Sequence, residues 1–275
     1  MPASFLLSLR EGIEAALIIG IVLGALRQMR RNELSSAAWA GALSASAISV
    51  LVAILLSSLG LSLEGAAEQI FEGVTMLFAA GLLTWMIFWM NRQSRGLKSV
   101  IEADIKQAAG STGRRAIFLV AFLAILREGI ELALFLTATV FASDAAQTLL
   151  GAVLGLGAAV VLGWGLFAAT IRLNLRRFFQ VTGFLLILFA AGLIAHGVHE
   201  LNEVGWIPPI VEQLWNINPI LDDNSTFGAL LKALFGYNGN PSLTEVLVYV
   251  AYFAIVFFSL RQAERPHAFP AGQQA

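Results

Sequence analysis

Apolar residues run in long unbroken stretches along this chain, and polar residues gather between them. Seven stretches reach or approach the roughly 20 residues that a helix needs to cross a hydrocarbon layer about 30 Å thick. They are Phe5–Leu26, Ala37–Leu59, Ala66–Met90, Ala116–Phe141, Leu149–Ile171, Phe178–Gly197 and Leu243–Leu260. Their length, and the lack of alternating segments of about 10 residues, predict membrane helices rather than a membrane β-barrel. The fold class expected is therefore an all-α polytopic membrane protein with seven transmembrane helices. Two connections are long: the polar stretch Asn91–Arg115, and the segment from His199 to Ser242. Within the second, Thr226–Phe235 is apolar but too short to span, so an interfacial or re-entrant piece is expected.

Two blocks of sequence occur twice. Leu9-Arg10-Glu11-Gly12-Ile13-Glu14 in span 1 returns as Leu126-Arg127-Glu128-Gly129-Ile130-Glu131 in span 4. Leu77-Phe78-Ala79-Ala80-Gly81-Leu82 in span 3 returns as Leu188-Phe189-Ala190-Ala191-Gly192-Leu193 in span 6. A weaker match pairs Gly41-Ala42 with Gly151-Ala152 near the starts of spans 2 and 5. Spans 1–3 are thus expected to repeat as spans 4–6. Because three is odd, the second copy enters the membrane from the opposite side. Inverted repeats of this kind build many secondary transporters, with the substrate site near the midplane between the copies. The organisation expected is one transmembrane domain over 1–265: repeat one 1–95, repeat two 114–203, an outer loop 204–242 and a seventh span 243–262. The tail 266–275 is expected to be disordered and cytoplasmic.

Positive charge gives the orientation. Arg27, Arg30 and Arg31 follow span 1; Arg92, Arg95, Lys98, Lys106, Arg114 and Arg115 separate spans 3 and 4; Arg172, Arg176 and Arg177 follow span 5; Arg261 and Arg265 follow span 7. Only Lys232 lies on the other side. Lys and Arg favour the cytoplasmic side, so the N-terminus is expected outside and the C-terminus inside. The N-terminal run has charges within it and no basic residues before it, and it reads as a retained span rather than a secretory signal. The outer side collects acids, among them Glu64, Glu68, Glu200, Glu203, Glu212 and Glu245.

Composition agrees with this picture and narrows the chemistry. The 275 residues are 58% hydrophobic and 13% charged, with a formal net charge of −1; mean hydropathy is +0.78. Such a chain is neither an ordinary cytosolic domain nor disordered, and it has no basic stripe for nucleic acid. With no cysteine it has no disulfide, no thiolate metal site and no thiol nucleophile.

The informative charges are those inside spans: Arg10, Glu11, Glu14, Glu72, Arg127, Glu128 and Glu131. A charge at mid-bilayer costs about 2.5–3.5 kcal/mol, and a Leu, Ile, Phe or Val returns about 0.3–0.6. For span 1, three charges cost roughly 9 kcal/mol against roughly 6 returned by its apolar residues, so the charges cannot face lipid. At about 100° per residue, Arg10, Glu11 and Glu14 share a sector about 100° wide, and the second motif repeats it. Arg10 can pair with Glu14 at i,i+4, leaving one carboxylate over in each motif. Gly12 and Gly129 allow close helix approach. Facing each other, the sectors would place four carboxylates and two guanidiniums in one dry cavity, unfavourable unless protons or a cation enter. The bland alternative is a pair of salt bridges that only fix packing, but duplicated intramembrane charges favour function.

Carboxylates are hard donors and suit Mg, Ca, Mn or iron rather than Cu(I). Glu64, Glu68 and Glu72 read as a descending ladder of approach, with Glu72 about 9 Å below the start of span 3 at 1.5 Å per residue, and so level with Glu11. Glu64 and Glu68 can equally be solvated residues. His196, His199 and Glu200 have metal-like spacing, although satisfied interfacial histidines explain them as well. The outer segment Glu212–Asp223, with Trp206 and Trp215 nearby, reads as an interfacial loop. No phosphate-binding loop is present to power transport by ATP.

These residues carry a resemblance. The duplicated Arg-Glu-Gly-x-Glu, Phe71-Glu72-Gly73, Leu83-Thr84-Trp85-Met86 with Trp89-Met90, Ile171-Arg172-Leu173-Asn174-Leu175, Glu203-x-Gly205 and Phe235-Gly236-Tyr237 resemble the high-affinity iron permease family. That family includes the fungal oxidase-coupled permeases, and the likeness is closer to its bacterial EfeU-type branch. The resemblance implies iron, Fe(III) or Fe(II), as cargo in the cytoplasmic membrane. It implies Glu11, Glu14, Glu128 and Glu131 as ligands, with Glu72 near them, Arg10 and Arg127 in support, and Glu64, Glu68 and Glu203 on the way in. It also implies separate periplasmic partners, a cupredoxin-like iron-binding protein and a haem peroxidase, and no resident cofactor. Two other readings compete: a transporter of Mn(II) or Ca(II), and a membrane di-iron oxidase. The oxidase would normally want Glu-x-x-His motifs, and the motifs here are Glu-x-x-Glu.

Overall fold

The computed structural model describes residues 1–93, 113–167, 174–223 and 225–264. Most of the polar stretch Asn91–Arg115, the Ile171–Leu173 part of one family match, and the tail 266–275 lie outside the described residues.

Eight α-helices make up the described chain: α1 (Pro2–Gln28), α2 (Ser35–Ser62), α3 (Ala66–Gln93), α4 (Arg114–Ala142), α5 (Ala145–Phe167), α6 (Leu175–Glu203), α7 (Thr226–Phe235) and α8 (Leu243–Glu264), with a short 3₁₀ turn at Asn32–Leu34. Each apolar run, over its described residues, lies on its own long helix. Helices overshoot the runs at most ends because backbone hydrogen bonding continues into polar residues until a breaker intervenes. Thus α6 continues past Gly197 through His199 and Glu200 to Glu203. Proline is absent from every helix interior; among the described residues it occurs at the first position of α1 and in the segment after α6, as its missing N–H requires. α7 starts at Ser225, whose Oγ accepts from Gly228 N at 3.0 Å. It stops at Gly236, whose φ of 68° lies in the left-handed region that ends helices at little cost only with glycine.

Five helices have the length and apolarity to cross a membrane: those within 32–60, 66–89, 145–166, 177–203 and 243–262. The other two long helices, α1 and α4, are the two that carry the charged motifs. Apolar side chains are exposed along α2 (Leu43, Leu51, Ile54), α5 (Leu149, Val160, Trp164) and α8 (Val250, Ile255, Phe258). Surfaces so apolar belong in lipid rather than water.

The interior is built from α1, α3, α4 and α6, whose Leu7, Met76, Leu83, Phe135, Leu186 and Leu193 share one core cluster with Tyr252 and Val256 of α8. α1 and α4 run antiparallel. Leu26 and Val22 cluster with Ile117 and Ala121, and Ile18 clusters with Ile125. α5 lies along α1 in the same direction: Gly151 meets Ser4, Gly155 meets Phe5 and Ser8, Gly163 meets Ala16. α2 lies along α4 in the same way, with Gly41 against Phe118 and Ala121, and Ser49 against Gly129. α3 and α6 cross antiparallel at Gly73 and Gly197. These contacts come in matched pairs. Gly12 of the first motif meets Ala159 and Gly129 of the second meets Ser49. Ser49 stands eight residues after Gly41, as Ala159 stands eight after Gly151. Each motif glycine is therefore packed by the middle helix of the opposite triplet.

α7 is the short apolar piece of the outer segment. It packs on α6 and touches α1 and α4. Its terminal Gly236 lies against Gly192, where a Cβ on Gly192 would come within 2.6 Å of Gly236 N. Thr84 Oγ1 and Tyr252 OH, 2.9 Å apart, join α3 to α8.

Close backbone approach makes some glycines irreplaceable and leaves others free. A Cβ at Gly41 would stand 2.5 Å from Phe118 O, whereas nothing lies within 4 Å of one at Gly157. Gly41→Val should cost at least the 1–3 kcal/mol typical of overpacking, roughly, and lower the thermal midpoint of detergent-purified protein; Gly157→Ala should leave it equal or higher. Size-exclusion after a temperature series measures both.

Candidate metal centre

Antiparallel crossing of α1 and α4 brings the two motifs to one place. Carboxylate oxygens of Glu11, Glu128 and Glu131, all buried, lie within 4.8 Å of one another. Each has an Oε2 that is sealed from solvent and has no hydrogen-bond partner. Glu14 borders the group on the next turn of α1, with 15% of its side chain exposed.

Both arginines make the i,i+4 contacts that their spacing suggests: Arg10 Nη2 is 3.2 Å from Glu14 Oε1, and Arg127 Nε donates to Glu131 Oε1 at 2.9 Å. Beyond that the halves differ. Arg10 is 1% exposed and also reaches Glu11 Oε1, at 3.4 Å, so it does not leave Glu11 as the unpaired acid of its motif. Its Nη1 donates to Met86 Sδ on α3 at 3.2 Å. Arg127 has 39% of its side chain exposed and sits over the Trp89 ring, 4.7 Å from its centroid. That is within the range of a favourable cation–π contact. Met86 and Trp89 belong to no charged motif. Their one signal in the sequence is their place in the Leu83–Met90 stretch.

The chemistry of this donor set is that of a cation site. Three buried carboxylates with two guanidiniums beside them repel one another in a medium that screens poorly. A hard cation takes oxygen ligands at about 2.0–2.6 Å. One drawn in among these oxygens would satisfy the lone pairs that have no partner.

Glu72 stands elsewhere. α3 passes Arg10 at Met86, fourteen residues beyond Glu72, or about 21 Å along the helix at 1.5 Å per residue. Glu72 is therefore not level with Glu11. Depth measured from the start of each span misled because α3 begins well above the level at which α1 begins. Its charged neighbours are Glu200 and Glu68. Glu64 is exposed before α3. Glu203 is bonded to Gln69 and lies 3.4 Å from His199 Nε2. His199 Nδ1 meets Glu245 Oε1 at 3.0 Å, and buried Glu245 also accepts from Asn238 Nδ2 at 2.8 Å and Ser242 N at 3.1 Å. This network ties α6 to α8. His196 Nδ1 pairs with Gly192 O at 3.0 Å, as a satisfied helical histidine does. Asp223 Oδ1 accepts from Gly239 N at 2.8 Å and helps to order the segment between α6 and α8.

Comparison with known proteins accords with the motifs. The model of the Iron permease FTR1 family matches residues 1–264. The chain belongs to that family. It is 35% identical over 264 residues to "Ferrous iron permease EfeU" of Shigella sonnei (strain Ss046), covering 94% of this chain and 96% of that protein. The same figures hold for the protein of that name in Escherichia coli O157:H7. The Yersinia pestis protein of that name is 31% identical, covering 94% of each chain. No solved structure matches the chain. As a member of this family, with helices of this apolarity, the chain is a membrane protein of the iron-permease class.

Burial distinguishes the two arginines by experiment. Arg10→Leu strands Glu11 and Glu14 in the interior and should cost about 3–5 kcal/mol, the usual effect of breaking a buried ion pair. Arg127→Leu should cost clearly less, because Arg127 is only partly buried. Thermal midpoints in detergent should therefore fall in the order wild type, Arg127→Leu, Arg10→Leu. Equal midpoints for the two variants would contradict the asymmetry.

Proposed function

We propose that this protein imports iron across the bacterial cytoplasmic membrane and that Glu11, Glu128 and Glu131, with Glu14 beside them, form the intramembrane site through which iron passes. The observation that carries this reading is the meeting of buried carboxylates from both motifs within 4.8 Å. Helices distant in sequence have no need to gather acids in an apolar interior unless a cation is to pass there.

In this reading α1 and α4 span the membrane together with the five apolar helices, giving seven spans with the N-terminus outside and the C-terminus inside. Spans 1–3 and 4–6 form an inverted repeat. The parallel packing of α1 with α5 and of α2 with α4, the antiparallel crossing of α3 and α6, and the matched glycine contacts support it. Iron approaches past Glu64, Glu68, Glu72 and Glu203 at the outer ends of α3 and α6. It is then captured between the motifs, where it displaces protons or loosens the arginine contacts. Arg10 and Arg127 set the geometry of the glutamates and limit how tightly iron is retained. The relatives named for ferrous iron make Fe(II) the form to examine first. A periplasmic cupredoxin-like iron-binding protein and a haem peroxidase are the partners proposed to deliver it.

Radioactive iron uptake in cells lacking other iron importers tests this. With protein reaching the membrane in normal amount, Glu131→Ala and Glu11→Ala should each lower uptake at least about tenfold, the effect of losing a ligand or its orientation; Glu64→Ala should leave it within about twofold. Full uptake by both motif variants would reduce the motifs to packing salt bridges. Excess Mn(II) or Ca(II) abolishing iron uptake would favour a different cargo.

The orientation has its own check. Single cysteines placed in this cysteine-free chain at Ser62 and at Arg31 should differ in labelling by a membrane-impermeant thiol reagent on intact spheroplasts, Ser62 reacting and Arg31 not. The reverse pattern would invert the topology.

A further inference from the structure

Met86 lies outside both motifs, and no periodicity links it to them. In the fold its thioether and Glu11 Oε1 face the same atom, Arg10 Nη1, at 3.2 Å and 3.4 Å. Met86 and Arg10 are each 1% exposed, so water does not compete for the contact. A positively charged nitrogen thus sits where a carboxylate oxygen of the three-acid group and a sulfur converge. A metal ion at that point would carry the same sign of charge at shorter distances, about 2.0–2.6 Å to oxygen. Arg10 also has another partner, Glu14 Oε1 at 3.2 Å, toward which an incoming cation would repel the guanidinium.

We propose that Met86 supplies a soft thioether donor beside Glu11 at the carboxylate site and so makes the site select Fe(II) over Ca(II) and Mg(II). This inference rests on the reading of that site as the path of iron. Its physical basis is ligand softness. Carboxylates alone suit Ca, Mg, Mn and iron alike, whereas a thioether adds bonding that only softer transition ions use. The device is confined to one half of the site. At the second motif the residue facing the arginine is Trp89, which offers a ring face and no donor atom to a metal.

The test uses the full chain in proteoliposomes, with radioactive Fe(II) under reducing conditions and Ca(II), Mg(II) or Cd(II) as competitors. Met86→Leu keeps the volume and removes the donor. It should still carry iron, but the concentration of Cd(II) that halves uptake should rise about tenfold and that of Ca(II) should fall about tenfold, as the softness of the site is lost. Met86→Gln, unbranched and with a hard oxygen, should shift Ca(II) in the same direction, and it supplies the readout if Met86→Leu does not fold. A Met86 that merely props Arg10 would change uptake without changing the competition ratios. Unchanged ratios in both variants, with Glu131→Ala inactive in the same liposomes, would overturn the role of Met86 and leave the carboxylate site standing. Wild-type transport by Glu131→Ala would overturn the site itself.

Discussion

Much in this fold follows from having to bury ionisable side chains in helices that must also be apolar. Arg10, Glu11, Glu14, Arg127, Glu128 and Glu131 lie in the middle of α1 and α4, where each charge facing lipid would cost about 2.5–3.5 kcal/mol. The two helices are therefore forced inward and toward each other, because their charges are the best partners available. Once α1 and α4 occupy the centre, α3 and α6 close the sides, and α2 and α5 supply the apolar outer faces. The exposed leucines, valines and isoleucines of α2 and α5 and the buried glutamates of α1 and α4 are two consequences of one constraint.

The glycine contacts of the two motif helices are matched, but the side chains around the two arginines are not. Gly12 and Gly129 each receive the middle helix of the opposite triplet, and both arginines reach the glutamate one turn on. Yet Arg10 is sealed against Met86 while Arg127 lies over the Trp89 ring and is partly exposed. The matched glycine contacts set where the motif helices meet, and the unlike neighbours leave the two arginines in different surroundings.

The end of the bundle where α3 starts and α6 stops is organised separately. Glu68, Glu72 and Glu200 gather near one another, and the His199–Glu245 contact, with Asn238, Ser242 and Glu203, joins α6 to α8. About 21 Å along α3 separates Glu72 from the level of the motifs. Acids around the start of α3 and the end of α6 and acids buried between the motifs are thus distinct groups, one partly exposed and one buried. α7 lies between them in the fold, with Gly236 against Gly192 and contacts to both motif helices.

The sequence by itself determined the helices, because an apolar run of this length satisfies its backbone in lipid only by helical hydrogen bonding. It also determined the two motifs, their one-sided clustering and their burial, since period and transfer cost are local properties. The short α7 was legible as a segment that could not span. Tertiary structure alone decided which acids meet. Glu11, Glu128 and Glu131 converge and Glu72 does not, because relative depth depends on where each helix begins in the packed bundle rather than on distance from its own first residue. It also decided that Met86 and Trp89 face the arginines. A helix shows its period in the sequence, but which neighbour lies opposite each turn depends on how α3 is set against α1 and α4, and that is a property of the packing.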